Sequence, residues 1–397
     1  FKRFPEERRE FAIYCFWIAK EIANPGRFLK DDPSGVVKCL HSIVSGDLDA
    51  DRCDYVRRDG YASGFEFGDY DIQRILSAVR FRRNPEKGKK FELVPTTVAT
   101  SALESFFLER YRIYKWLIFH PMVVRVNVAL ARALAILLEI AFREETGGKA
   151  EKILQILEDT EFDRTWKSLA NEDSYHQYAL CDENWLLTLL REVQQLGLSD
   201  PSQALPIKQL ALGVYLDLVC DRKKEHIQPL WKRQEGYQEF AEKAAEHLNT
   251  LPGISPELVK GEKEDDVAWC NRFMETILMS DVKKKGRVAT MRQLEEKIQS
   301  SLALDGWCGG VIADVLPFTP YESFCVLDTR TNKLVPLEGI SMIVRGLSDM
   351  WSREIRFRPF WWARKMADGG YQLEQSGRGK PPGVTDFAKA FVGALLK

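Results

Sequence analysis

The stretch DADRCDYVRRD, residues 49 to 59, is the most informative part of the sequence. A Ser-Gly-Asp turn at residues 45 to 47 comes directly before it, and either Asp47 or Asp49 can cap a helix that begins there. The residues that follow, DGYASGFEFGDYD, are rich in glycine and aromatic side chains and predict a loop. The stretch therefore predicts a charged helix with a defined start.

One face of this predicted helix suits a nucleotide. Positions i, i+1, i+4 and i+8 lie broadly along one face of a helix. Counted from residue 51, they are Asp51, Arg52, Tyr55 and Asp59. A carboxylate can hold a divalent cation, and a guanidinium can bind phosphate oxygens. A phenol can pack against a sugar, and a second carboxylate can accept a hydrogen bond from a hydroxyl of that sugar. The same spacing also fits a solvated charged helix with ion pairs such as Asp54 with Arg58.

Apolar residues recur at helical spacing through most of the chain, which predicts a mainly α protein. Helices are predicted at residues 6–23, at Val36 to Val44, from residue 100 to about 144, and through most of residues 150–300. The dipeptide His120-Pro121 divides or kinks the third of these. The string RFRRNPEKGKKFELV predicts a hairpin around Asn84 to Lys90.

The pattern changes after Ser300. FCVLDTRTNKLVPL and REIRFRPFWWA have the residue types and alternation of strands, whereas SMIVRGLSDMWS between them predicts a helix. We therefore predict three parts: residues 1–146 with the charged helix, a helical domain at 147–300, and a small α+β module at 301–397.

Composition limits the class of protein. Apolar residues make up 45% of the 397 residues, enough for a substantial core. Lys and Arg number 57 against 58 Asp and Glu, so the whole chain has no electrostatic bias toward nucleic acid or an anionic membrane. The eight cysteines form no C-x-x-C pair, which indicates reduced thiols in a cytoplasmic protein. The run from Val123 to Phe142 contains charged residues and predicts a buried helix rather than a membrane span.

Two strings resemble a known family. DLDADRCDYVRRDGYASG resembles the block that carries the last metal-binding aspartate of HD-domain phosphohydrolases. LERYRIYKWLIFHP resembles the next signature of that family, an arginine followed ten residues later by a histidine within a long helix. Together they cover roughly residues 40 to 125. The similar proteins are bacterial dGTPase-like enzymes and the vertebrate SAM- and HD-domain dNTP triphosphohydrolase.

The resemblance implies an HD-type helical core and a role for each matching residue. By it, Asp51 is the final metal ligand and Arg52 touches the triphosphate. Tyr55 packs against the sugar, and Asp59 contacts the 3′-hydroxyl. Arg110 matches an arginine of the catalytic site that contacts phosphate.

The resemblance also implies an effector-nucleotide site between subunits. Arg74 and His120 match positions that help to form this site in some relatives. Thr96, Val98 and Trp116 stand where other basic residues of the same site are found. A homo-oligomer regulated by an effector nucleotide is the expectation that follows.

One part of the family's metal site is absent from this sequence. That site needs a histidine and then an adjacent His-Asp pair upstream of the aspartate block, and the sequence has no His-Asp dipeptide. Because the first residue is Phe1 rather than Met, we expect these ligands upstream of it. The implied cofactor is a divalent metal ion (Mg, Mn, Fe or Zn) held in part by Asp51.

The predicted function is metal-dependent hydrolysis of deoxynucleoside triphosphates to deoxynucleoside and inorganic triphosphate, with dNTP-pool control and antiviral nucleotide depletion as possible settings. A first alternative is a catalytically inactive nucleotide sensor or scaffold. A second is a nucleic-acid-binding or nuclease relative that uses the basic runs at residues 80–90 and 283–287. For both runs, a solvated hairpin or loop is the simpler interpretation.

Overall fold

The computed structural model describes residues 35–84, 90–143, 147–160, 183–200, 205–223, 227–304, 311–316, 324–361, 363–365, 371–373 and 383–396. Over these ranges the protein is mainly α-helical with small antiparallel sheets, which confirms the predicted fold class. No helix within these ranges has the length and apolar character needed to cross a membrane.

The α-helices are numbered in chain order. They are α1 (Val36–Val44), α2 (Ala50–Ala62), α3 (Ile72–Ala78), α4 (Thr100–Ile113), α5 (Pro121–Arg143), α6 (Ala150–Asp159), α7 (Glu183–Gln194), α8 (Ile207–Asp221), α9 (Gln234–Thr250), α10 (Asp266–Lys285), α11 (Arg287–Leu304), α12 (Leu337–Ile340), α13 (Met342–Ser352) and α14 (Val384–Leu396). A 3₁₀ turn at Thr97–Ala99 precedes α4, and a π-helical turn at Tyr114–Ile118 follows it.

The strands of the described residues form four small sheets. They are β1 (Val79–Asn84), β2 (Lys90–Pro95), β3 (Gln228–Pro229), β4 (Val311–Val315), β5 (Cys325–Leu327), β6 (Leu334–Pro336), β7 (Phe357–Trp361), β8 (Ala363–Lys365) and β9 (Tyr371–Leu373). The pairs β1-β2, β5-β6 and β8-β9 are antiparallel, and β3-β7-β4 is a three-stranded antiparallel sheet.

The chain divides into two compact units. The first comprises residues 1–118 and 318–351, and the second residues 119–317 and 352–397. In the first unit, α2 and α4 pack together, and α1 packs against β2. Its core contains the fully buried side chains of Val56, Leu103, Phe106 and Phe107. Helix α2 is thus fixed by an apolar face that leaves its charged residues outside this core.

The second unit has two apolar clusters, and the three-stranded sheet contributes to both. Val311 and Ala313 of β4 and Phe357 of β7 belong to one cluster, with α9, α10, α11 and α14. Ile312 of β4 and Phe360 of β7 belong to the other, with α5, α6, α7 and α8. Successive residues of a strand point to opposite faces, so a short sheet can supply side chains to two cores.

Two ion-paired carboxylates link helices of the second unit. Glu295 of α11 accepts three hydrogen bonds from Arg132 of α5, of 3.2, 2.9 and 2.6 Å, and both side chains are buried. Burial raises the pKa of Glu295, although Arg132 opposes the rise. Burial alone would also raise the pKa of Glu139, but hydrogen bonds from Arg292 and Lys208 lower it below its ordinary value. Because Arg132 and Glu295 are both buried, removal of either one would leave the other as a buried charge without its partner and would destabilise the fold.

Several predicted elements are confirmed. Helix α1 has the predicted bounds, and β1 pairs with β2 as the predicted hairpin. The helical run that begins at residue 100 is interrupted before Pro121, as the dipeptide His120-Pro121 indicated. Strands β5, β6 and β7 and helix α13 occupy the strings predicted for them. The predicted helix at residues 6–23 lies outside the described residues, and the three-part division of the chain stays a prediction.

Candidate functional site

Helix α2 begins at the residue that the sequence indicated. Asp49 is its N-cap, and its Oδ1 accepts a hydrogen bond of 2.6 Å from the backbone N–H of Arg52. Its Oδ2 accepts one of 3.0 Å from the N–H of Gly46. Asp49 is buried, and its two carboxylate oxygens together connect the turn to the start of the helix. The position and direction of every side chain on α2 depend on this cap.

The four predicted site residues project from α2 with different exposure. Asp51 is exposed, whereas Arg52, Tyr55 and Asp59 are half-buried. The residues between them that face the core are Cys53, Val56 and Gly60, all buried. The helix therefore presents the predicted residues on a polar side.

Arg52 and an arginine from another helix both lie close to one carboxylate group. Its Nη1 donates a hydrogen bond of 2.8 Å to Oδ1 of Asp47. Nη1 of Arg110, on α4, lies 3.8 Å from the same oxygen. Arg110 is only 7% exposed, and its Nη1 is buried with no acceptor at hydrogen-bond distance among the described residues. Two guanidinium groups thus converge on a single oxygen atom, and one of them retains an unused donor.

Tyr55 lies in the same cluster. Its hydroxyl is buried beside the Tyr114 phenol and the Arg110 guanidinium, and it meets hydrogen-bond geometry with no group in the described part of the chain. Burial, followed by the neighbouring Tyr114 phenol, raises the pKa of Tyr55 above its ordinary value, and the positive charge of Arg110 opposes the rise. The Arg110 guanidinium carbon lies 5.7 Å from the centroid of the Tyr114 ring. Tyr55 is therefore a neutral hydroxyl, available as a donor or an acceptor.

A metal site is not complete in the described residues. Within these ranges no group of three His, Cys, Asp or Glu side chains is arranged to hold a metal ion. Asp51 contributes one exposed carboxylate. Asp59 has an oxygen 3.8 Å from Nε of Arg58, which also pairs with Asp54 at 3.1 Å. The exposed ion pair between Asp54 and Arg58, which the sequence also predicted, is thus present on α2 together with the arginine cluster.

The two predicted effector residues are both exposed. Arg74 belongs to the first unit, where its Nε donates a hydrogen bond of 3.3 Å to the carbonyl of Val98. His120 belongs to the second unit, where its Nδ1 accepts one of 3.3 Å from the N–H of Met122. Their shared role stays a prediction.

The basic runs are partly neutralised where the structure describes them. Arg82 lies 3.3 Å from a carboxylate oxygen of Glu92, and the Arg83 guanidinium stacks on Phe91 at 4.8 Å. In the second run, Lys285 pairs with Asp281 at 3.4 Å. These contacts favour the solvated hairpin and loop interpretations over a nucleic-acid surface.

An apolar groove of about 960 Å³ follows the other side of α2. Ile75 and Leu76 of α3 and Phe81 and Leu93 of the hairpin are among its apolar lining residues. Cys53 and Asp54 contribute from α2, and none of the four predicted site residues lines it. The groove and the arginine cluster are therefore separate features of the first unit.

Sequence reasoning missed Asp47 and Tyr114 as members of the cluster. Asp47 was considered only as a possible cap, and the structure gives that role to Asp49. Because Asp49 caps the helix, the carboxylate of Asp47 is left to pair with other groups, and this could have indicated its place in the cluster. Tyr114 lies four residues after Arg110, at the spacing that places two side chains on one helical face.

Comparison with known sequences gives partial relatives. No family model matches the chain. An uncharacterised protein of Bacillus subtilis is 33% identical over 97 residues, which cover 24% of this chain and 21% of that protein. An uncharacterised protein of Methanocaldococcus jannaschii is 34% identical over 106 residues, which cover 25% of this chain and 23% of that protein. The chain therefore spans about a fifth of the length of these curated relatives.

Two solved structures are similar at a low level. A phosphohydrolase from Bacteroides thetaiotaomicron has 16% sequence identity and a TM-score of 0.44, over 86% of this chain and 66% of that chain. A hypothetical protein from Aquifex aeolicus has 16% identity and a TM-score of 0.42, over 91% and 63%. Likenesses at this level carry no argument about the function of this chain.

Proposed function

We propose that this protein is a metal-dependent phosphohydrolase that converts deoxynucleoside triphosphates to deoxynucleoside and inorganic triphosphate. The observation that carries the proposal is the convergence of Arg52 and Arg110 on Oδ1 of Asp47. The two arginines come from separate helices, and their guanidinium groups have the geometry that phosphate oxygens require. This function also accounts for the two strings that resemble HD-domain phosphohydrolases.

Arg110 is suited to hold phosphate. Charges in a buried, low-dielectric position interact more strongly than charges in water, so a phosphate beside this guanidinium gains more than it would from a surface lysine. The Nη1 group of Arg110, which has no acceptor among the described residues, would donate a hydrogen bond to a phosphate oxygen. Arg52, which is more exposed, would contact the part of the triphosphate nearer to solvent.

Tyr55 and Asp59 would orient the sugar. The buried Tyr55 hydroxyl without a partner among the described residues is explained if a ligand satisfies it. Asp59 follows Tyr55 by four residues on the same face of α2, so its carboxylate can accept a hydrogen bond from a sugar hydroxyl. A deoxyribose lying along α2 would place its phosphates toward Arg52 and Arg110.

The proposed cofactor is a divalent cation at Asp51. The described residues do not fit a complete metal site, since Asp51 supplies a single exposed carboxylate. We propose that the other ligands come from outside the described residues. A divalent cation in such a site lowers the pKa of a bound water and polarises phosphoryl oxygen. The roles that follow for Arg52, Tyr55, Asp59 and Arg110 are binding and orientation of the nucleotide.

The partners proposed with this function are a dNTP substrate, an effector nucleotide and further copies of the same chain. Arg74 and His120 would contribute to the effector site by the resemblance that introduced them. An oligomer that assembles on addition of a nucleotide, and fails to do so in Arg74→Ala, would support this regulation. Light scattering with and without nucleotide measures it.

The test of the function is release of inorganic triphosphate from each dNTP by the full chain, assayed with Mg, Mn, Fe and Zn in turn. We expect turnover in the wild type, loss of turnover with retained nucleotide binding in Asp51→Asn, and loss of binding in Arg110→Gln. Asp54→Asn is the matched control, because Asp54 lies on the same helix as Asp51 and pairs with the exposed side chain of Arg58. Turnover that survives Asp51→Asn would refute the proposed metal role.

A second candidate function is a nucleotide sensor without hydrolysis. In this case Asp51, Arg52, Tyr55 and Asp59 would serve only to bind the ligand. Wild-type protein that binds dNTPs through Arg110, but releases no product with any of the four metals, would establish this candidate and exclude the enzyme.

A further inference from the structure

Asp47 makes an interaction that no catalytic or binding role yet explains. Its Oδ1 accepts a hydrogen bond of 2.8 Å from Arg52 and lies 3.8 Å from Nη1 of Arg110. An anion placed between two guanidinium groups is the arrangement in which proteins bind a phosphate or carboxylate ligand. The Asp47 carboxylate therefore occupies the position that one phosphate oxygen of a ligand would take.

The contact with Arg110 is incomplete. A distance of 3.8 Å is too long for a hydrogen bond, so Asp47 balances the charge of Arg110 without satisfying its donor. A buried donor left unsatisfied is unfavourable, and an acceptor that reached it would gain more than Asp47 does. The cluster thus has a resident anion that is a poorer partner for Arg110 than a well-placed ligand.

Asp47 is also the member of the cluster that lies outside a helix. It lies in the turn between α1 and α2, and its side chain is 31% exposed, against 9% for that of Arg110. Arg110 and Arg52 project from helices α4 and α2, and the side chain of Arg52 is 30% exposed, about as much as that of Asp47. The cap of α2 is made by Asp49, so Asp47 can rotate toward solvent without removing a hydrogen bond that defines the helix.

We propose that Asp47 is a displaceable counter-ion that competes with the phosphates of the ligand for Arg52 and Arg110. In the ligand-free protein it neutralises part of the charge of the cluster. An anion of several charges must displace it, so Asp47 lowers the affinity of the site for phosphate compounds in general and restricts binding to those that engage both arginines. This inference rests on the proposed function, because it takes the cluster to be the phosphate-binding part of that site.

The test is isothermal titration calorimetry of inorganic triphosphate into the full chain, in EDTA and at fixed ionic strength, so that no metal contributes. We expect Asp47→Asn to bind triphosphate about ten-fold more tightly than the wild type, from the loss of one charge-assisted hydrogen bond in a partly exposed position. Asparagine has the same size and can still accept a hydrogen bond from Arg52, so the fold should be retained. Urea unfolding of the variant checks this, and Asp47→Ser provides a second variant without charge.

Asp54→Asn is the matched control. It removes the same charge seven residues further along the chain, on α2, where Asp54 pairs with the exposed side chain of Arg58. We expect its affinity for triphosphate to stay within two-fold of the wild type. An equal gain in Asp54→Asn would show a general effect of net charge and would overturn the inference.

The remaining outcomes separate the two proposals. Affinity that is unchanged or weaker in both Asp47 variants would show that Asp47 does not compete with triphosphate for the arginines, and would overturn the inference while the proposed function stands. Wild-type affinity in Arg110→Gln would show that triphosphate binds elsewhere, which removes the proposed site and the inference with it. Loss of binding in Arg110→Gln, together with tighter binding in Asp47→Asn, supports both.

Discussion

Replacement of Arg110 by methionine should stabilise the ligand-free protein and abolish its response to triphosphate. Arg110 is 7% exposed, and its Nη1 has no hydrogen-bond acceptor among the described residues. Methionine retains an unbranched apolar side chain of similar length and introduces no donor. The substitution therefore removes an unsatisfied buried group while leaving most of the packing in place.

The magnitude follows from opposing contributions. A buried donor without a partner costs about 1–3 kcal/mol, and more when it is charged. Against this, the variant loses the ion pair with Asp47 at 3.8 Å, worth at most about 1 kcal/mol, and the contact with the Tyr114 ring at 5.7 Å, worth about 0.5 kcal/mol. The net expectation is an increase in the free energy of unfolding of about 1 kcal/mol for Arg110→Met.

Urea unfolding with and without inorganic triphosphate measures both effects. A ligand present at one hundred times its dissociation constant stabilises the wild type by about 2.7 kcal/mol, and Arg110→Met should show no such shift. The wild type would thus be the less stable protein without triphosphate and the more stable one with it. Arg58→Met is the control, because Arg58 forms an exposed pair with Asp54; it should change stability by less than about 0.5 kcal/mol and keep the triphosphate shift.

Lower stability of Arg110→Met than of the wild type without ligand would contradict this expectation, since that would mean the guanidinium is fully satisfied in the folded protein. A triphosphate-induced shift that the variant keeps would contradict it as well, since the phosphate would then bind without Arg110.

Three further predictions concern the fold. The pKa of Glu139 is lowered in the folded protein, so its stabilisation is complete at neutral pH and is lost as the pH falls below its ordinary value of 4.5. Glu139→Gln should therefore be about 1 kcal/mol less stable than the wild type at pH 7, and this difference should shrink steadily as the pH falls below 4.5, as measured by urea unfolding. A methyl group at Gly60 would overlap the carbonyl oxygen of Phe67, so Gly60→Ala should lower stability by about 2 kcal/mol and displace the loop after α2, seen as faster amide hydrogen exchange there. Arg132→Met leaves Glu295 buried and unpaired and should cost about 3–5 kcal/mol in thermal unfolding, and Glu295→Gln in the same variant should recover part of the loss.

Features determined by neighbouring residues were predictable from the sequence. The Asp49 cap, the start of α2 and the pairing of β1 with β2 depend on turn chemistry and on periods of a few residues. The break before Pro121 follows from the geometry of proline. These elements depend on local backbone energetics, so a few neighbouring residues are enough to predict them.

Features that join distant segments were not predictable in the same way. Strands β3, β7 and β4 form one sheet although they come from residues near 228, 360 and 313, and no local pattern specifies that pairing. Strands β5 and β6 belong to the first unit although they follow the second unit's helices along the chain. Such contacts depend on which apolar faces fit together, and shape complementarity is a property of the assembled core.

Some features of the candidate site were likewise predictable from the sequence, and others were not. The sequence by itself determined which residue types lie along one face of α2, because helical geometry fixes that spacing. Only the tertiary structure decided that Arg110 lies beside Asp47, that the Tyr55 hydroxyl is buried, and that Asp51 is exposed. The packing of α2 on α4 sets those distances and degrees of burial, and it results from apolar contacts spread over many residues that no single motif contains.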